Sequence, residues 1–278
     1  MPCAARGQAT AANQQAMADA RANVEDLIGQ SGGKAAVAYR SLDGARELFI
    51  DADKEFPATS QWVEIPVMIE LYAAVDAREL RLNDPLVVHN RFRSADGGEY
   101  RLNPGLDPDA QLYREIGRRV PLSELNSRMM KQNSQLAANL LMERLGLSAI
   151  NSRLAELHAN GIVLRYKFQD PAARKAERQN TVSARAIMQV LWLLATNQAV
   201  SPSASQEMVG LIANARTALS GPFAANPNGG AAGEDYQAAV IVYGARSFAL
   251  AAVVQGLQTG AAGSALIAKI SHALSAAN

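Results

Sequence analysis

The stretch from Phe56 to Leu71, Phe-Pro-Ala-Thr-Ser-Gln-Trp-Val-Glu-Ile-Pro-Val-Met-Ile-Glu-Leu, constrains the fold more than any other part of the chain. Proline has no N–H group and is tolerated mainly in the first turn of a helix, where that donor has no intrahelical partner. Pro66 therefore predicts a helix that begins near residues 61 to 64 and continues to about Arg78. Enzymes often mount a nucleophile at the start of an apolar helix that follows such a turn.

Composition bounds the class of protein loosely. The 278 residues are 49% hydrophobic and 19% charged, which suffices to bury the core of one large domain or two interleaved subdomains. A net charge of +1 argues against a basic surface for nucleic acid. No apolar run approaches the roughly 18 residues of a membrane helix. The single cysteine, Cys3, excludes an internal disulfide and suits neither a redox pair nor a metal cluster.

Hydrophobic periodicity predicts helices and strands in a simple order. Apolar residues at helical spacing predict a first helix from about Ala16 to Ile28. Strands at residues 35–39 and 47–50 flank Asp43-Gly44 and predict a hairpin, and a second hairpin is predicted around Gly244-Ala245-Arg246. A helix from about Ala261 to Ala276 ends the chain. Between the hairpins, helices beyond the Pro66 helix are expected near residues 122–131, 134–145, 148–158, 183–196 and 203–215.

The Phe56–Leu71 stretch resembles the start of the active-site helix of class A β-lactamases and their penicillin-binding relatives. In that family a Ser and a Lys lie three residues apart just before the proline. The order of helix, hairpin, helical insertion, hairpin and helix is also similar to the order in that family. The resemblance covers nearly the whole chain from Ala35 on. It implies an α/β (α+β) fold of the β-lactamase type, in which terminal helices flank an antiparallel sheet and an all-helical subdomain is inserted.

The resemblance also implies a domain organisation and a location. We expect a disordered segment of residues 1–15, followed by one domain of residues 16–278. Its sheet subdomain should comprise residues 16–60 and 221–278, and its helical subdomain about residues 61–220. Such proteins are exported, to the periplasm or the cell exterior. The start of the chain resembles a bacterial lipoprotein cut near its lipidated cysteine, here Cys3, although an ordinary disordered start is an equal alternative.

The first catalytic motif of the family, Ser-x-x-Lys, has no match at its place. Counting back from Pro66 puts Glu64 at the Lys place and Gln61 at the Ser place. Counting forward along the stretch instead puts Ser60 at the Ser place and Val63 at the Lys place, with one residue inserted. Ser60 and Glu64 are therefore the candidate catalytic residues. Their alternative roles are local, with Ser60 as a helix N-cap and Glu64 as a first-turn carboxylate that the helix dipole stabilises by about 0.3 to 1 kcal/mol.

The second motif of the family is Ser-x-Asn, whose Ser shuttles a proton and whose Asn binds the substrate amide. It lies upstream of an Ala-x-Asn-Leu-Leu helix, which residues 137–146 match. Counting back from that helix places Asn133-Ser134-Gln135 at the motif, with Asn133 for the shuttle Ser and Gln135 for the Asn. The alternative is that Asn133 or Ser134 is the N-cap of the helix that follows.

The third motif, Lys-Thr-Gly, corresponds to Asn228-Gly229-Gly230, so that only the final glycine is kept. The surrounding residues 224–233 have poor strand propensity, because proline is confined to sheet edges and glycine weakens pairing. We therefore predict a mobile edge here. The backbone N–H groups that would stabilise an oxyanion, those of Gln61 and Ala231, do not depend on the side chains that are replaced.

The loop that carries the deacylating Glu of β-lactamases should lie between Leu164 and Asn180. Asp170-Pro171 is more simply interpreted as a helix N-cap and a proline at the first helical position, and Glu177 as a surface residue. No deacylating Glu is assigned. No cofactor and no metal site are predicted either, because no pair of histidines has metal-ligand spacing among His89, His158 and His272.

Replacing the family's lysines should change which ligands the cleft prefers. Lys to Glu at position 64 changes the local charge by −2, and Lys to Asn at position 228 changes it by −1, which gives −3 in total. At about 4 Å and an effective dielectric near 20, each lost attraction or added repulsion is on the order of 4 kcal/mol before screening. We therefore expect neutral or cationic ligands to be preferred over carboxylates.

Three functional hypotheses follow. The first is a non-hydrolysing pseudoenzyme or ligand-binding domain, in which Trp62 is either an aromatic wall of the cleft or a packed core residue. The second is a repurposed serine hydrolase or diverged β-lactamase, in which Glu64 activates Ser60 one helical turn away. The third is a scaffold whose cleft has no ligand, and a fold resemblance does not choose among the three. The predicted ligand contacts are Gln61, Trp62, Glu64, Asn133, Ser134, Gln135, Asn228, Gly230 and Ala231.

Overall fold

The computed structural model describes residues 3–58, 60–175, 179–213, 236–242, 247–257 and 259–277. The chain divides into two compact units. The sheet unit contains Met1–Lys54, Ser183–Trp192 and Leu219–Asn278, and the helical unit contains Glu55–Val182 and Leu193–Ala218. The fold is α+β, as the sequence predicted.

The long helices and the strands of the main sheet follow one another in the order that hydrophobic periodicity indicated, and the short strands between them were not predicted. Two short 3-10 turns, at Pro104–Leu106 and Leu112–Glu115, accompany them. The elements in chain order are α1 (Cys3–Ser31), β1 (Lys34–Ser41), β2 (Glu47–Ile50), β3 (Phe56–Pro57), α2 (Ser60–Asp76), β4 (Pro85–Val87), β5 (Phe92–Arg93), β6 (Glu99–Tyr100), β7 (Arg119–Pro121), α3 (Leu122–Gln132), α4 (Gln135–Leu145), α5 (Leu147–Glu156), α6 (Pro171–Lys175), β8 (Thr181–Val182), α7 (Ala184–Ala195), α8 (Pro202–Ala213), β9 (Tyr236–Val242), β10 (Phe248–Gln255) and α9 (Gly260–Ala277).

The sheet unit is built on an antiparallel sheet with strand order β2-β1-β10-β9. The central pair is in register from Lys34 opposite Gln255 to Ser41 opposite Phe248. Nearly every residue of β1 and β10 is buried, which explains why both strands are almost continuously apolar rather than alternating. One face of the sheet forms a core with the helices α1 and α9, whose members include Val24, Val37, Tyr39, Leu250, Val254, Ile270 and Leu274.

Both predicted hairpins are confirmed as antiparallel strand pairs. The turn of the first hairpin places Gly44 at φ +71, a conformation that glycine adopts without steric penalty. The loop of the second hairpin, Gly244-Ala245-Arg246, lies outside the described residues. The segment 183–192, which the sequence assigned to the helical subdomain, belongs to the sheet unit. Its Arg185 forms an ion pair with Asp53 at 2.6 Å, which a local pattern does not reveal.

The first helix begins earlier than the sequence predicted. It starts at Cys3 rather than Ala16, so residues 3–15, for which disorder was expected, continue the helix in the structure. The physical reason is that this segment is rich in alanine and glutamine, which both have high helix propensity. The predicted end near Ile28 is confirmed to within three residues, because the helix stops at Ser31.

The helical unit is organised around α2, which is buried almost all round. Every residue from Trp62 to Ile69 is buried, and the helix packs against α3, α4, α5 and α8. A helix that is covered on every side needs apolar residues on every face, which explains the absence of a polar stripe in its sequence. The described residues of this unit also form three two-stranded ribbons, of β3 with β8, β4 with β7, and β5 with β6.

The start of α2 corrects the argument from Pro66. The helix begins at Ser60, so Pro66 is an interior residue in its second turn rather than a first-turn residue. An interior proline removes one intrahelical hydrogen bond, here the bond to the carbonyl of Trp62, and dense packing around α2 compensates for that loss. The other predicted helices of the insertion, α3, α4, α5, α7 and α8, are confirmed to within two residues at each end.

Candidate active-site region

The carboxyl group of Glu64 is buried inside the helical unit. The residue is 1% exposed, and its Oε1 has no hydrogen-bond partner among the described residues. Burial, followed by the negative charge of Asp107, raises the pKa of Glu64 from 4.5 to about 8. Glu64 is therefore protonated and neutral at pH 7. The first-turn role that the sequence offered for it is wrong, because Glu64 is the fifth residue of α2 and has no access to solvent.

Asp107 is the second buried carboxyl group of this region, and it is well satisfied. Its Oδ1 accepts from the backbone N–H groups of Asp109 at 3.0 Å and Gln135 at 3.1 Å. Its Oδ2 accepts from the N–H of Leu136 at 2.8 Å and from the hydroxyl of Tyr113 at 2.9 Å. Two of these donors are the first N–H groups of α4, which have no partner within the helix. Asp107 thus acts as a remote cap of α4 and fixes where that helix begins.

The segment Asn133-Ser134-Gln135 joins α3 to α4, and each residue has a distinct structural role. Asn133 has φ +51 and is the C-cap of α3, a left-handed conformation that asparagine tolerates better than most residues. Ser134 is the N-cap of α4, and its Oγ accepts from the N–H of Ala137 at 3.3 Å. The capping alternative is therefore confirmed for Ser134, whereas Asn133 caps the preceding helix instead.

The side chain of Gln135 belongs to a chain of amide hydrogen bonds. Its Oε1 accepts from Nε2 of Gln169 at 2.9 Å. The Oε1 of Gln169 in turn accepts from the backbone N–H of Asn103 at 2.8 Å, and its Nε2 also lies 3.4 Å from the Asn103 carbonyl. Gln135 and Gln169 are both half-buried. The two NH₂ hydrogens of Gln135 have no acceptor within the described part of the chain.

Three asparagine side chains hold the segment from Leu164 to Phe168 by pairing with its backbone as a neighbouring strand would. The buried Asn139 accepts from the N–H of Phe168 at 2.7 Å and donates to its carbonyl at 3.0 Å. Asn151 does the same with Leu164, at 2.9 and 2.8 Å. Asn180 does so with Tyr166, at 2.9 and 3.0 Å. The segment is therefore fixed without regular secondary structure of its own.

Asp170 follows this segment and has a structural role. Its carboxylate accepts from the N–H of Ala172 at 2.9 Å, which makes it the N-cap of the short helix α6, with Pro171 at the first helical position. It also accepts from the hydroxyl of Ser94 and from the N–H of Ala95, the latter at 3.0 Å. The capping interpretation is confirmed, and the buried Asp170 accepts three hydrogen bonds from these neighbours.

The residues at the start of α2 differ in accessibility. Ser60 is exposed, Gln61 is half-buried, and Trp62 is 1% exposed and part of the core. No hydrogen bond joins the described side chains of Ser60 and Glu64. Ser60 is itself the first helical residue, so the N-cap position falls on residue 59, outside the described residues. The burial of Trp62 favours the packed role over the aromatic wall.

Several predicted positions lie outside the described residues. These are Asn228, Gly230 and Ala231 of the third motif, and Glu177. Within the described ranges, no three His, Cys, Asp or Glu side chains converge as metal ligands would. In the same part of the chain, no helix combines the length and the apolar character needed to cross a bilayer.

The neutral state of Glu64 corrects the charge argument. With Glu64 protonated, replacing a lysine at this place changes the local charge by −1 at pH 7 rather than by −2. Together with the predicted change of −1 at Asn228, the change in charge relative to the family is then −2. All of it is lost positive charge rather than added negative charge. Only above about pH 8, where Glu64 ionises, does the predicted −3 apply. The sequence did not suggest this because the pKa depends on tertiary burial.

The structure also assigns roles that the sequence did not predict. Asp107 and Gln169 were not among the candidate residues, although they contact Gln135 directly. A signal for Asp107 existed in Asp107-Pro108-Asp109, since acidic residues around a proline favour turns and helix caps. Nothing local marks Gln169, because its partners lie 34 and 66 positions away along the chain.

This architecture, with a central helix that follows β3 and a polar region at the start of α4, is that of the class A β-lactamase type. The profile of the beta-lactamase enzyme family matches residues 19–277, and the chain belongs to that family. Comparison with curated proteins gave no match.

Solved structures show the same fold at low sequence identity. A β-lactamase from Sphaerobacter thermophilus is 22% identical with a TM-score of 0.68, over 92% of this chain and 97% of that one. A β-lactamase from Chitinophaga pinensis is 19% identical with a TM-score of 0.75, over 94% and 100%. The penicillin-binding protein PBP-A is 18% identical with a TM-score of 0.68, over 95% and 94%.

Proposed function

We propose that this protein is a non-hydrolysing member of the beta-lactamase enzyme family that binds a small ligand. The observation that carries the proposal is the state of Glu64, which occupies the place of the family's catalytic lysine when the chain is counted back from Pro66. The side chain there is a buried, neutral acid without a hydrogen bond to Ser60. Ser-x-x-Lys, Ser-x-Asn and Lys-Thr-Gly are each replaced in the sequence at the positions identified above.

Acyl transfer requires a nucleophile together with a base that takes its proton. A base must hold an open lone pair and lie within hydrogen-bond reach of that proton. At pH 7 a carboxyl group with a pKa of about 8 already carries its proton, so Glu64 is a poor base. Asp107 raises the pKa of Glu64 by its negative charge, and it accepts four hydrogen bonds from other groups. This arrangement argues against catalysis with Glu64 or Asp107 as the base.

The ligand class follows from the charges of the region. Two lysines that would attract a carboxylate are absent from the proposed positions, and at pH 7 Glu64 adds no negative charge in their place. We infer that the site takes neutral ligands at pH 7 and disfavours carboxylates. Above about pH 8 the ionised Glu64 adds one negative charge, and cationic ligands then gain affinity. Because Glu64 is 1% exposed, it acts through its field rather than by touching the ligand.

Two measurements test this function. Prolonged incubation with a reactive cephalosporin, followed by intact-mass spectrometry, is expected to show no adduct, and a stable adduct on a serine would overturn the non-hydrolysing assignment. A thermal-shift screen with matched amides, amines and carboxylates tests binding. A ligand at 100 times its dissociation constant stabilises the folded state by about 2.7 kcal/mol, which such a screen detects. Stabilisation by carboxylates alone at pH 7 would contradict the electrostatic argument.

We also propose that the protein is exported, because the chain belongs to a family of exported proteins. Attachment of a lipid through Cys3 stays a prediction. Fractionation of the producing cells tests export, and mass spectrometry of the mature N-terminus tests lipidation.

A further inference from the structure

We propose that Gln169 is a positioning residue that fixes the polarity of Gln135, so that Gln135 presents hydrogen-bond donors to a ligand carbonyl. This inference rests on the proposed function in assuming that a ligand binds here. It goes further by naming the residue that decides which chemical group of a ligand Gln135 can match.

The argument starts from a backbone group whose chemistry is unambiguous. The N–H of Asn103 can donate and cannot accept, and it lies 2.8 Å from one side-chain amide atom of Gln169. That atom must therefore be the oxygen. The Asn103 carbonyl, which can accept and cannot donate, lies 3.4 Å from the other amide atom, which must be the nitrogen. The two contacts agree, so the orientation of the Gln169 amide is determined by the backbone.

The orientation of the Gln169 amide determines that of the Gln135 amide through the hydrogen bond between them. The Nε2 of Gln169 lies 2.9 Å from a side-chain amide atom of Gln135. A nitrogen that carries two hydrogens must donate, so the partner atom is Oε1 of Gln135. The Nε2 of Gln135 is then directed away from Gln169, and neither of its hydrogens has an acceptor among the described residues. Without Gln169, rotation by 180° about the last side-chain torsion would exchange donor and acceptor at little cost.

The surroundings hold both glutamines in place. Gln135 is the first residue of α4, and its backbone N–H is bound to the buried Asp107 at 3.1 Å. Gln169 follows Phe168, whose N–H and carbonyl are both bound to Asn139. A half-buried NH₂ group with two free hydrogens favours a ligand that offers lone pairs, such as the carbonyl oxygen of an amide. The same group disfavours a ligand that presents an ammonium group at this point.

Replacing Gln169 by glutamate should invert this preference. A carboxylate accepts at both oxygens, so one oxygen keeps the bond from the Asn103 N–H and the other requires a donor from Gln135. Gln135 must then rotate and present its carbonyl oxygen outward. The Asn103→Asp variant is the matched charge control, because it adds a carboxylate to a residue in contact with Gln169. In the parent protein Oδ1 of Asn103 accepts a hydrogen bond from the N–H of Gly105 at 2.9 Å, and an aspartate oxygen can accept the same bond. The variant leaves both glutamines unchanged.

Hydrogen exchange of the side-chain NH₂ groups, followed by NMR on the ligand-free full chain, reads out the polarity directly. We expect slow exchange for Gln169 and fast exchange for Gln135 in the parent protein. In the Gln169→Glu variant the NH₂ group of Gln135 should become protected, whereas Asn103→Asp should leave the parent pattern. Protection of Gln135 in the parent protein, or no gain of protection in Gln169→Glu, would overturn the inference.

Binding of two small probes tests the consequence. N-acetylglycinamide offers uncharged carbonyl acceptors, and glycinamide offers an ammonium donor. The parent protein and Asn103→Asp should bind N-acetylglycinamide at least about tenfold more tightly than glycinamide, and Gln169→Glu should reverse the ratio. If the parent binds neither probe but shows the expected exchange pattern, the ligand-binding function fails and the positioning role of Gln169 stands. If both probes bind with the same ratio in all three proteins, the specificity role of Gln169 fails and the ligand-binding function stands.

Discussion

The carboxyl group of Glu64 is buried within electrostatic range of Asp107, and burial together with that negative charge raises its pKa to about 8. The two carboxyl groups therefore have different structural roles. Asp107 accepts from several donors and caps α4, whereas Glu64 keeps its proton and has an oxygen without a partner in the described part of the chain. A lysine at the position of Glu64 would carry a positive charge next to Asp107. The protonation of Glu64 beside Asp107 is a property of this region that can be measured.

The first prediction is a loss of stability as pH rises. Below pH 4.5 Glu64 is protonated in both the folded and unfolded states. Between 4.5 and about 8 only the folded state keeps the proton, so unfolding releases it and the free energy of unfolding falls by about 1.4 kcal/mol per pH unit from this group. Above about pH 8 its contribution is constant. Urea unfolding at a series of pH values should show that Glu64→Gln removes this decline.

The control for this experiment is Glu55→Gln, because Glu55 is an exposed glutamate of the same unit. It should leave the pH profile of the parent protein unchanged. Glu64→Gln should therefore equal the parent near pH 4.5 and exceed it at pH 8. Identical profiles for Glu64→Gln and the parent would show that Glu64 ionises normally in the folded protein.

The second prediction concerns Asp107 as a remote helix cap. In the parent protein two carboxylate oxygens of Asp107 accept these hydrogen bonds, whereas the Asp107→Asn variant has only one acceptor oxygen. The NH₂ group of the new side chain would face the N–H groups of α4, which are donors as well. We expect the free energy of unfolding to fall by about 1 to 3 kcal/mol, since buried donors are left unpaired. Loss of the negative charge should also lower the pKa of Glu64 towards its ordinary value. Denaturant unfolding at pH 6 and pH 8 measures both effects, with the exposed Asp76→Asn as a control.

The third prediction concerns the segment that the asparagines hold. Asn139→Ala removes the acceptor of the Phe168 N–H and one of two donors to the Phe168 carbonyl, which keeps the hydroxyl of Tyr100 at 3.1 Å. It also removes a 3.2 Å bond to the hydroxyl of Tyr100. Amide hydrogen exchange from residue 164 to 169 should become faster, and the free energy of unfolding should fall by about 1 to 3 kcal/mol for each buried group left unpaired. Asn83→Ala, at an exposed asparagine, should change neither. Unaltered exchange at Phe168 would show that other contacts hold the segment.

The fourth prediction concerns Ser60. Because it is exposed and has no hydrogen bond to Glu64, we expect no covalent labelling by a fluorophosphonate. Ser60→Ala should change the free energy of unfolding by less than about 0.5 kcal/mol, as for most surface substitutions. Mass spectrometry of the treated protein gives the answer. Labelling that both Ser60→Ala and Glu64→Gln abolish would instead support the repurposed hydrolase.

The sequence by itself determined the order and type of the elements. Strand-forming runs around Gly44 and Arg246 predicted the hairpins, and apolar periodicity predicted the helices. Both signals are local in the chain. The caps at Ser134 and Asp170 were likewise predictable, since a cap and the N–H that it accepts lie within three residues of each other. Counting from Pro66 located the central helix to within a few residues.

Tertiary structure alone decided the state of the site. Glu64 looks like an ordinary charged residue in the sequence, but packing around α2 removes it from water and keeps it neutral. Asp107 and Gln169 reach Gln135 from distant parts of the chain, where no local pattern connects them. Protonation and hydrogen-bond polarity depend on burial and on which groups meet. Neither property follows from residue order, because the partners are brought together only when the chain has folded.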